Sequence, residues 1–261
     1  MQGTSGAGRH VFLIGHGIAY SASPAMQNAG FQALGLDWTY ELLDVPADEL
    51  PAAAARLRDA DVGGANVTIP HKQAVIPSLD RLDQAAQRIG AVNCIANRDG
   101  VLHGYNTDRE GVLRALGPFS GRAVVLGAGG SARAVIDAFR PRVTIVNRTR
   151  SRAEQLAREM GVTASGPEAL AQVDLVVNCT SVGMSGEEMP VDPALMRGTV
   201  IDLAYSVRGD TALIRAARAR GLPAIDGIEV LVQQAIASLE IWLGRQPLGA
   251  LAPELRKAAL A

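Results

Sequence analysis

Short apolar runs alternate along the chain with segments of helical spacing, and that rhythm predicts an α/β protein. Val11–Gly15 is a continuous apolar run, the pattern of a buried strand. Pro24 then opens a helix to about Leu34, Trp38–Leu43 alternates as a strand, and the Ala-rich stretch Leu50–Ala60 reads as a helix. Gly64–Val67 is the next strand, followed by a short helix from His71. Val92–Ala96 and Val101–Gly104 flank Asp99-Gly100, a two-residue hairpin signal. A helix from Thr107 leads to further strands at Ala123–Leu126, Val143–Val146, Asp174–Val177, Val200–Leu203 and Pro223–Ile225. Helices are expected over Ala132–Phe139, Ala212–Arg220, Ile228–Leu243 and Pro253–Leu260. The repeated β–α order calls for parallel sheets, with one antiparallel excursion in the first half. Met1–Arg9 reads as a flexible lead-in.

One stretch of this pattern carries specific chemistry. After the strand Ala123–Leu126 come Gly127, Ala128, Gly129, Gly130, Ser131 and Ala132, so that Gly127, Gly129 and Ala132 fall on the G-x-G-x-x-G/A spacing. A strand, a tight glycine turn, a helix and a second strand make half of a dinucleotide-binding fold. The glycines let backbone N–H groups approach a pyrophosphate, which the helix N-terminus holds with its unpaired donors. An NAD site places an acid after the second strand to accept from the ribose hydroxyls. Here stand Asn147, Arg148, Thr149 and Arg152, and forked guanidiniums suit a ribose that carries a phosphate. The expected cofactor is NADP.

Composition narrows the rest. With 48% hydrophobic residues the chain is packed and globular, and 261 residues allow one large domain or two modest ones. Lys plus Arg number 25 against 26 for Asp plus Glu, which gives no reason to expect nucleic acid or an anionic membrane as partner. Cys94 and Cys179 are the two cysteines, too few for a disulfide framework or a cysteine zinc site, so a cytoplasmic protein without metal is expected. No signal peptide and no membrane-spanning run are read in the sequence.

Five further segments go beyond composition: Ser21-Ala22-Ser23-Pro24, Asn66-Val67-Thr68-Ile69-Pro70-His71-Lys72, Gly90-Ala91-Val92-Asn93, Gly104-Tyr105-Asn106-Thr107-Asp108 and Asn178-Cys179-Thr180-Ser181-Val182-Gly183-Met184. Together with the glycine turn, Asn147-Arg148-Thr149 and Gly227–Gln234, in this order, they closely resemble the shikimate dehydrogenase family from about Val11 to Gly244. The resemblance implies two domains with the active site in the cleft between them. The first, a mostly parallel α/β substrate domain, takes residues 1–107 and is completed by C-terminal helices in 236–261; a Rossmann-type NADP domain takes 108–235. It also implies an enzyme that interconverts 3-dehydroshikimate and shikimate in the route through chorismate to the aromatic amino acids.

By the same resemblance Lys72 and Asp108 form the catalytic dyad, with Lys72 as acid and base. Taken singly, Lys72 would be a surface amine and Asp108 a helix cap. Ser21 and Ser23 match hydroxyls that hold a carboxylate, Thr68, Asn93 and Gln234 match groups that bond ring hydroxyls, and Tyr205 matches a residue near the carboxylate. Thr180, Val182 and Met184 match the surroundings of the nicotinamide, and Gly227 matches a cofactor-binding position. The chain departs from the family at Tyr20, where His is frequent, at His71 and Val230, and at Ser206–Asp210, which lacks a usual proline. His71, without an evident partner, reads as a helix-start residue and not as a base. Small molecules are the expected partners, and a monomer or homodimer the expected state. Two alternatives stay open: a quinate/shikimate or aminoshikimate dehydrogenase, and a non-catalytic NADP-sensing module, which would have no need of Lys72 and Asp108.

Overall fold

The computed structural model describes residues 8–207, 209–245 and 247–261, so the expected lead-in lies outside it except for Gly8 and Arg9. The elements, in chain order, are β1 (Arg9–Gly15), α1 (Ser23–Ala33), β2 (Trp38–Asp44), α2 (Leu50–Arg56), β3 (Val62–Val67), β4 (Arg81–Leu82), α3 (Gln84–Ile89), β5 (Cys94–Arg98) and β6 (Val101–Tyr105). They continue with α4 (Thr107–Leu116), β7 (Ala123–Leu126), α5 (Gly130–Phe139), β8 (Val143–Val146), α6 (Arg150–Met160), β9 (Thr163–Ala164) and β10 (Leu175–Asn178). Last come β11 (Thr199–Asp202), α7 (Ala212–Ala219), β12 (Ala224–Ile225), α8 (Gly227–Leu243) and α9 (Ala252–Ala259). The chain divides into two compact units, one running to Thr107 and resuming at Ala235–Ala261, the other spanning Asp108–Gln234.

The first unit is built on a six-stranded sheet of order β2-β1-β3-β5-β6-β4. β1 pairs in parallel with β2 and β3, whereas β5 runs antiparallel to both β3 and β6. The β5–β6 hairpin closes through Asp99 (φ 55°) and Gly100 (φ 83°), the two left-handed residues that its Asp-Gly sequence predicts. Phe12, Ile14, Leu50, Leu57, Val62 and Ile95 are among the residues of one core layer. Across the sheet, Phe31 and Tyr40 pack against Trp242, whose indole N–H donates to the Ile95 carbonyl at 2.9 Å.

Two expected helices end differently. No α-helix starts at His71. The Lys72 carbonyl, which a helix would use for the Ile76 N–H, accepts instead from Val92 N at 2.7 Å, and a single 3₁₀ turn follows at Ile76–Ser78. The helix from Leu50 stops at Arg56 because its last turn tightens to i→i+3 bonds from Leu57, Arg58 and Asp59. The Arg58 guanidinium is held away by Asp80 at 2.6 Å and the Gly100 carbonyl at 2.7 Å.

The second unit has six parallel strands in the order β12-β11-β10-β7-β8-β9, with the direction of winding reversed between β7 and β10. Its four central strands, β11, β10, β7 and β8, are largely buried on both faces, which is why they read as apolar runs, whereas the short edge strands β9 and β12 are partly exposed. Val125, Ile145 and Val177 face Val135, Ile136 and Leu156 of α5 and α6; Val124, Leu126 and Val176 face Leu170 on the other side. The helix α6, absent from the sequence expectation, buries Ala153, Leu156, Ala157 and Met160 and ends on Gly161 at φ 67°.

Asp202, which closes β11, is fully buried. It accepts from Thr211 Oγ1 at 2.6 Å, Asn178 Nδ2 at 2.7 Å and Ala204 N at 3.0 Å. Burial pushes its carboxyl up from 3.8 to about 6, against the pull of those three bonds. Between these two values the folded chain holds the extra proton. The group's contribution to stability is therefore fully present below about 3.8 and lost as pH rises through about 6. Relative to an Asp202→Asn variant, the parent is expected to lose about 3 kcal/mol of unfolding free energy between roughly pH 4 and pH 7, measured by urea denaturation. A difference that does not vary with pH would mean that the carboxyl titrates as in the unfolded chain.

Gly64 in β3 has φ 154°, and a Cβ there would lie 2.1 Å from the Ile95 carbonyl and 2.8 Å from the Trp242 indole nitrogen. Neither neighbour is a flexible side-chain end. Gly64→Ala is therefore expected to cost about 2–5 kcal/mol in chemical denaturation. A loss below about 1 kcal/mol would show that the sheet yields there.

Candidate active site

In the first unit the expected substrate residues stand at or just beyond strand ends. Ser21 lies in the loop after β1 and Ser23 begins α1, with Ser21 Oγ accepting from Ser23 N at 3.2 Å. The Asp44 carboxylate, at the end of β2, pins the start of that loop. It accepts from Gly17 N at 3.0 Å and Ile18 N at 3.1 Å, and His16 Nδ1 lies 3.0 Å away. The backbone bonds from Ile18 and Gly17 hold this carboxyl below its ordinary range. Thr68, just past β3, sits beside Gly15, where a Cβ would come within 2.6 Å of Thr68 Cγ2. Lys72 is half-buried in the turn that follows. His71 is buried and donates to the Val45 carbonyl at 2.8 Å, a structural bond.

Asn93 is buried and bound to Thr107, its Oδ1 accepting from Thr107 N at 2.6 Å and its Nδ2 donating to Thr107 Oγ1 at 3.0 Å. Asn66 extends this network. It accepts from Tyr40 Oη at 2.9 Å and donates to the Asn93 carbonyl at 2.9 Å and Ser238 Oγ at 3.0 Å. Asn66, Thr107 and Ser238 were not expected as site residues, because their bonds join segments far apart in sequence.

In the second unit Asp108 occupies the first turn of α4, half-buried. The fingerprint lies at the carboxyl ends of β7 and β10, the place where the winding reverses and where open α/β sheets bind ligands. Gly127 has φ 110°, and a Cβ there would meet Thr180 Cγ2 at 3.0 Å and the Cys179 backbone at 3.3 Å. Glycine alone satisfies both conditions. Gly129 precedes α5, whose first turn, from Gly130 and Ser131 to the buried Ala132, has no side-chain cap. That leaves a helix N-terminus shaped for an anion beside the turn at Gly127 and Ala128.

Beyond β8, Asn147 Nδ2 donates to the Thr149 carbonyl at 2.9 Å, shaping a loop whose Arg148, Thr149 and Arg152 are exposed. Arg150 is paired with Glu154, whereas the Arg148 and Arg152 guanidiniums have no hydrogen bond or ion pair among the described residues. Uncommitted guanidiniums, no acid at the strand end and an uncapped helix fit a dinucleotide with a phosphorylated ribose.

The loop after β10 holds Thr180, Val182 and Met184, all half-buried. Asn178 Oδ1 accepts from Thr180 N at 3.0 Å and Thr180 Oγ1 at 2.7 Å, while Val182 N donates to Thr180 Oγ1 at 3.2 Å. Gly227 starts α8 where a Cβ would lie 2.6 Å from the Ala204 carbonyl and 2.8 Å from that of Asp202, so the helix begins hard against the end of β11, with Tyr205 half-buried nearby in sequence. Gln234 is buried on α8 and donates to the Leu231 carbonyl at 3.0 Å. Asp202 and Thr211 went unread in the sequence, although an acid inside an apolar strand run was a usable signal. Among the described residues, no His, Cys, Asp and Glu group is placed to hold a metal ion, and no helix is long and apolar enough to cross a membrane.

Comparison with known proteins bears on both units. The model of the shikimate dehydrogenase substrate binding domain matches residues 13–95, and that of shikimate / quinate 5-dehydrogenase matches residues 114–188. The NADP(+) shikimate dehydrogenase of Symbiobacterium thermophilum is 44% identical, over 92% of this chain and 91% of that protein. The corresponding protein of Mesorhizobium japonicum is 42% identical over 92% of each. The crystal structure of shikimate 5-dehydrogenase from Thermus thermophilus, in complex with NADP(H) and shikimate, superposes with a TM-score of 0.89 at 37% identity, covering 96% of this chain and 98% of that one. By fold, motif order and identity over nearly its whole length, the chain belongs to the shikimate dehydrogenase family.

Proposed function

We propose that this chain is an NADP-dependent oxidoreductase that interconverts 3-dehydroshikimate and shikimate in the biosynthesis of aromatic amino acids. One observation carries the reading: the chain is more than 40% identical over 92% of its length to proteins named NADP(+) shikimate dehydrogenase, and Lys72 and Asp108 stand at the ends of its Asn66–Lys72 and Gly104–Asp108 segments. In this assignment the first unit binds the substrate and the second the cofactor. Gly127, Gly129 and the first turn of α5 hold the pyrophosphate, and Arg148, Thr149 and Arg152 the ribose phosphate. When bound, the dinucleotide supplies the hydride donor or acceptor. Ser21 and Ser23 orient the substrate by its carboxylate, with Tyr205 close to that group. Thr68, Asn93 and Gln234 bond the ring hydroxyls, which fixes the reacting carbon. Thr180, Val182 and Met184 surround the nicotinamide, and Gly227 also contacts the cofactor. Lys72, with Asp108 as its dyad partner, delivers or removes the proton at the reacting oxygen. Cys94 and Cys179 are not joined in a disulfide, which supports a cytoplasmic enzyme.

Lys72→Ala should lower turnover with shikimate and NADP by roughly 100-fold or more, with a much smaller change in substrate binding. Near-parental turnover in a folded variant would remove Lys72 from the chemistry.

The cofactor end gives an independent expectation. Charge-assisted hydrogen bonds are worth about 1.5–3 kcal/mol each, so two guanidiniums predict a preference for NADP over NAD of at least roughly a hundredfold. Replacing Arg148 and Arg152 together by Ala should erase most of that preference by weakening NADP alone. Turnover at saturating NADP should stay within a few fold of the parent. Equal affinities in the parent, or parallel loss of both cofactors in the variant, would overturn the assignment of this loop.

A further inference from the structure

A buried polar chain lies behind the Thr180–Met184 loop. Asp202 is fully buried and Thr211 nearly so, so neither is placed to touch a ligand. Both carboxylate oxygens of Asp202 are used as acceptors, Oδ2 for Thr211 and Oδ1 for Asn178 and Ala204. An ionised carboxylate can only accept, whereas a carboxamide offers a donor side and an acceptor side. Asp202 therefore fixes which way Asn178 turns: its NH₂ donates to the carboxylate at 2.7 Å and to the Val182 carbonyl at 3.3 Å, and its oxygen faces Thr180.

That oxygen then collects the Thr180 N–H and hydroxyl, and the hydroxyl oxygen in turn accepts from Val182 N. The loop closes back over its own support. Gly183 has φ 96°, and a Cβ at that position would stand 3.8 Å from Thr211 Cβ. Thr180 also sits against the fingerprint, since its Cγ2 is the atom that a Cβ on Gly127 would meet. The polar chain thus runs from the end of β11, through the end of β10, to the segment bordering the dinucleotide turn, all within one compact unit.

We propose that Asp202 and Thr211 are positioning residues for the nicotinamide end of the cofactor, acting by fixing the orientation of the Asn178 amide and with it the shape of the Thr180–Met184 loop. The proposal depends on the reading of this chain as an NADP enzyme. A purely structural role would weaken every ligand of the unit alike. A positioning role separates the two ends of the cofactor.

The test uses the full-length protein and two probes, NADP and 2′-phospho-ADP-ribose, which shares the adenine end and lacks nicotinamide. In Asp202→Ala no acceptor is left at this position for the Asn178 NH₂, so the Asn178 amide is no longer held in one orientation. Calorimetry should show NADP bound about tenfold more weakly, the scale of one lost charge-assisted bond, with the fragment bound as in the parent. Turnover at saturating NADP should fall about tenfold or more through misplacement of the ring. Thr211→Val should give a weaker form of the same pattern, and Thr211→Ser, which keeps the hydroxyl, should restore parental values. If Asp202→Ala fails to fold by circular dichroism, the Thr211 pair decides the matter. Parallel weakening of NADP and the fragment, or no change in either affinity or turnover, would overturn the proposal. A parent that binds no NADP would overturn the functional reading itself, and this inference with it.

Discussion

A backbone carbonyl can approach a neighbouring segment within contact distance only where no side chain intervenes, and glycine clears that space in both units. In the first, Gly64 admits the Ile95 carbonyl and the Trp242 indole against the middle of the sheet. In the second, Gly127 lets the turn after β7 close onto Cys179 and Thr180, and Gly227 lets α8 begin against the carbonyls of Asp202 and Ala204. These approaches bring loops from β7, β10 and β11 to one end of the sheet. The donors and walls of the candidate dinucleotide site follow from them, since a helix start or a loop displaced by one side chain would no longer converge there.

Much of this was legible in the sequence because it is local. The strand β7, the glycine turn and the apolar face of α5 lie within some twenty residues, and Asp99-Gly100 announces its hairpin by itself. The stripe Ala153, Leu156, Ala157, Met160 was also present and went unread, masked by the charged residues around it. The turn at Lys72 was not legible, because the bond that breaks the helix comes from Val92, twenty positions away in the chain. The same holds for Asp44 beneath the Ser21 loop and for Asp202 beneath Thr180: each acts on a segment remote in sequence. Sequence motifs showed the candidate ligand groups and left out the remote partners that hold their segments in place.

Buried polar groups play that second part in both units, by different means. In the first unit the network of Tyr40, Asn66, Asn93, Thr107 and Ser238 is neutral, so it orients chain segments without a desolvated charge. In the second, Asp202 carries three bonds against the opposing effect of burial. A charge gives a direction to its neighbours that a neutral amide does not, because it removes one of the two ways in which Asn178 could turn.

The exposed loop of Arg148, Thr149 and Arg152 stands apart from all of this. Its two guanidiniums carry no bond on which the described structure depends, and substitutions at such surface positions usually change stability by less than about 0.5 kcal/mol. On the proposed reading, the choice between phosphorylated and unphosphorylated dinucleotide is thereby uncoupled from folding. Mutation can explore cofactor preference at these positions without first needing a reserve of stability. The opposite holds at the end of β11, where Asp202 takes three bonds from Asn178, Ala204 and Thr211. Within one unit, evolvable and constrained positions are thus divided according to whether a side chain holds other parts of the chain or only a ligand.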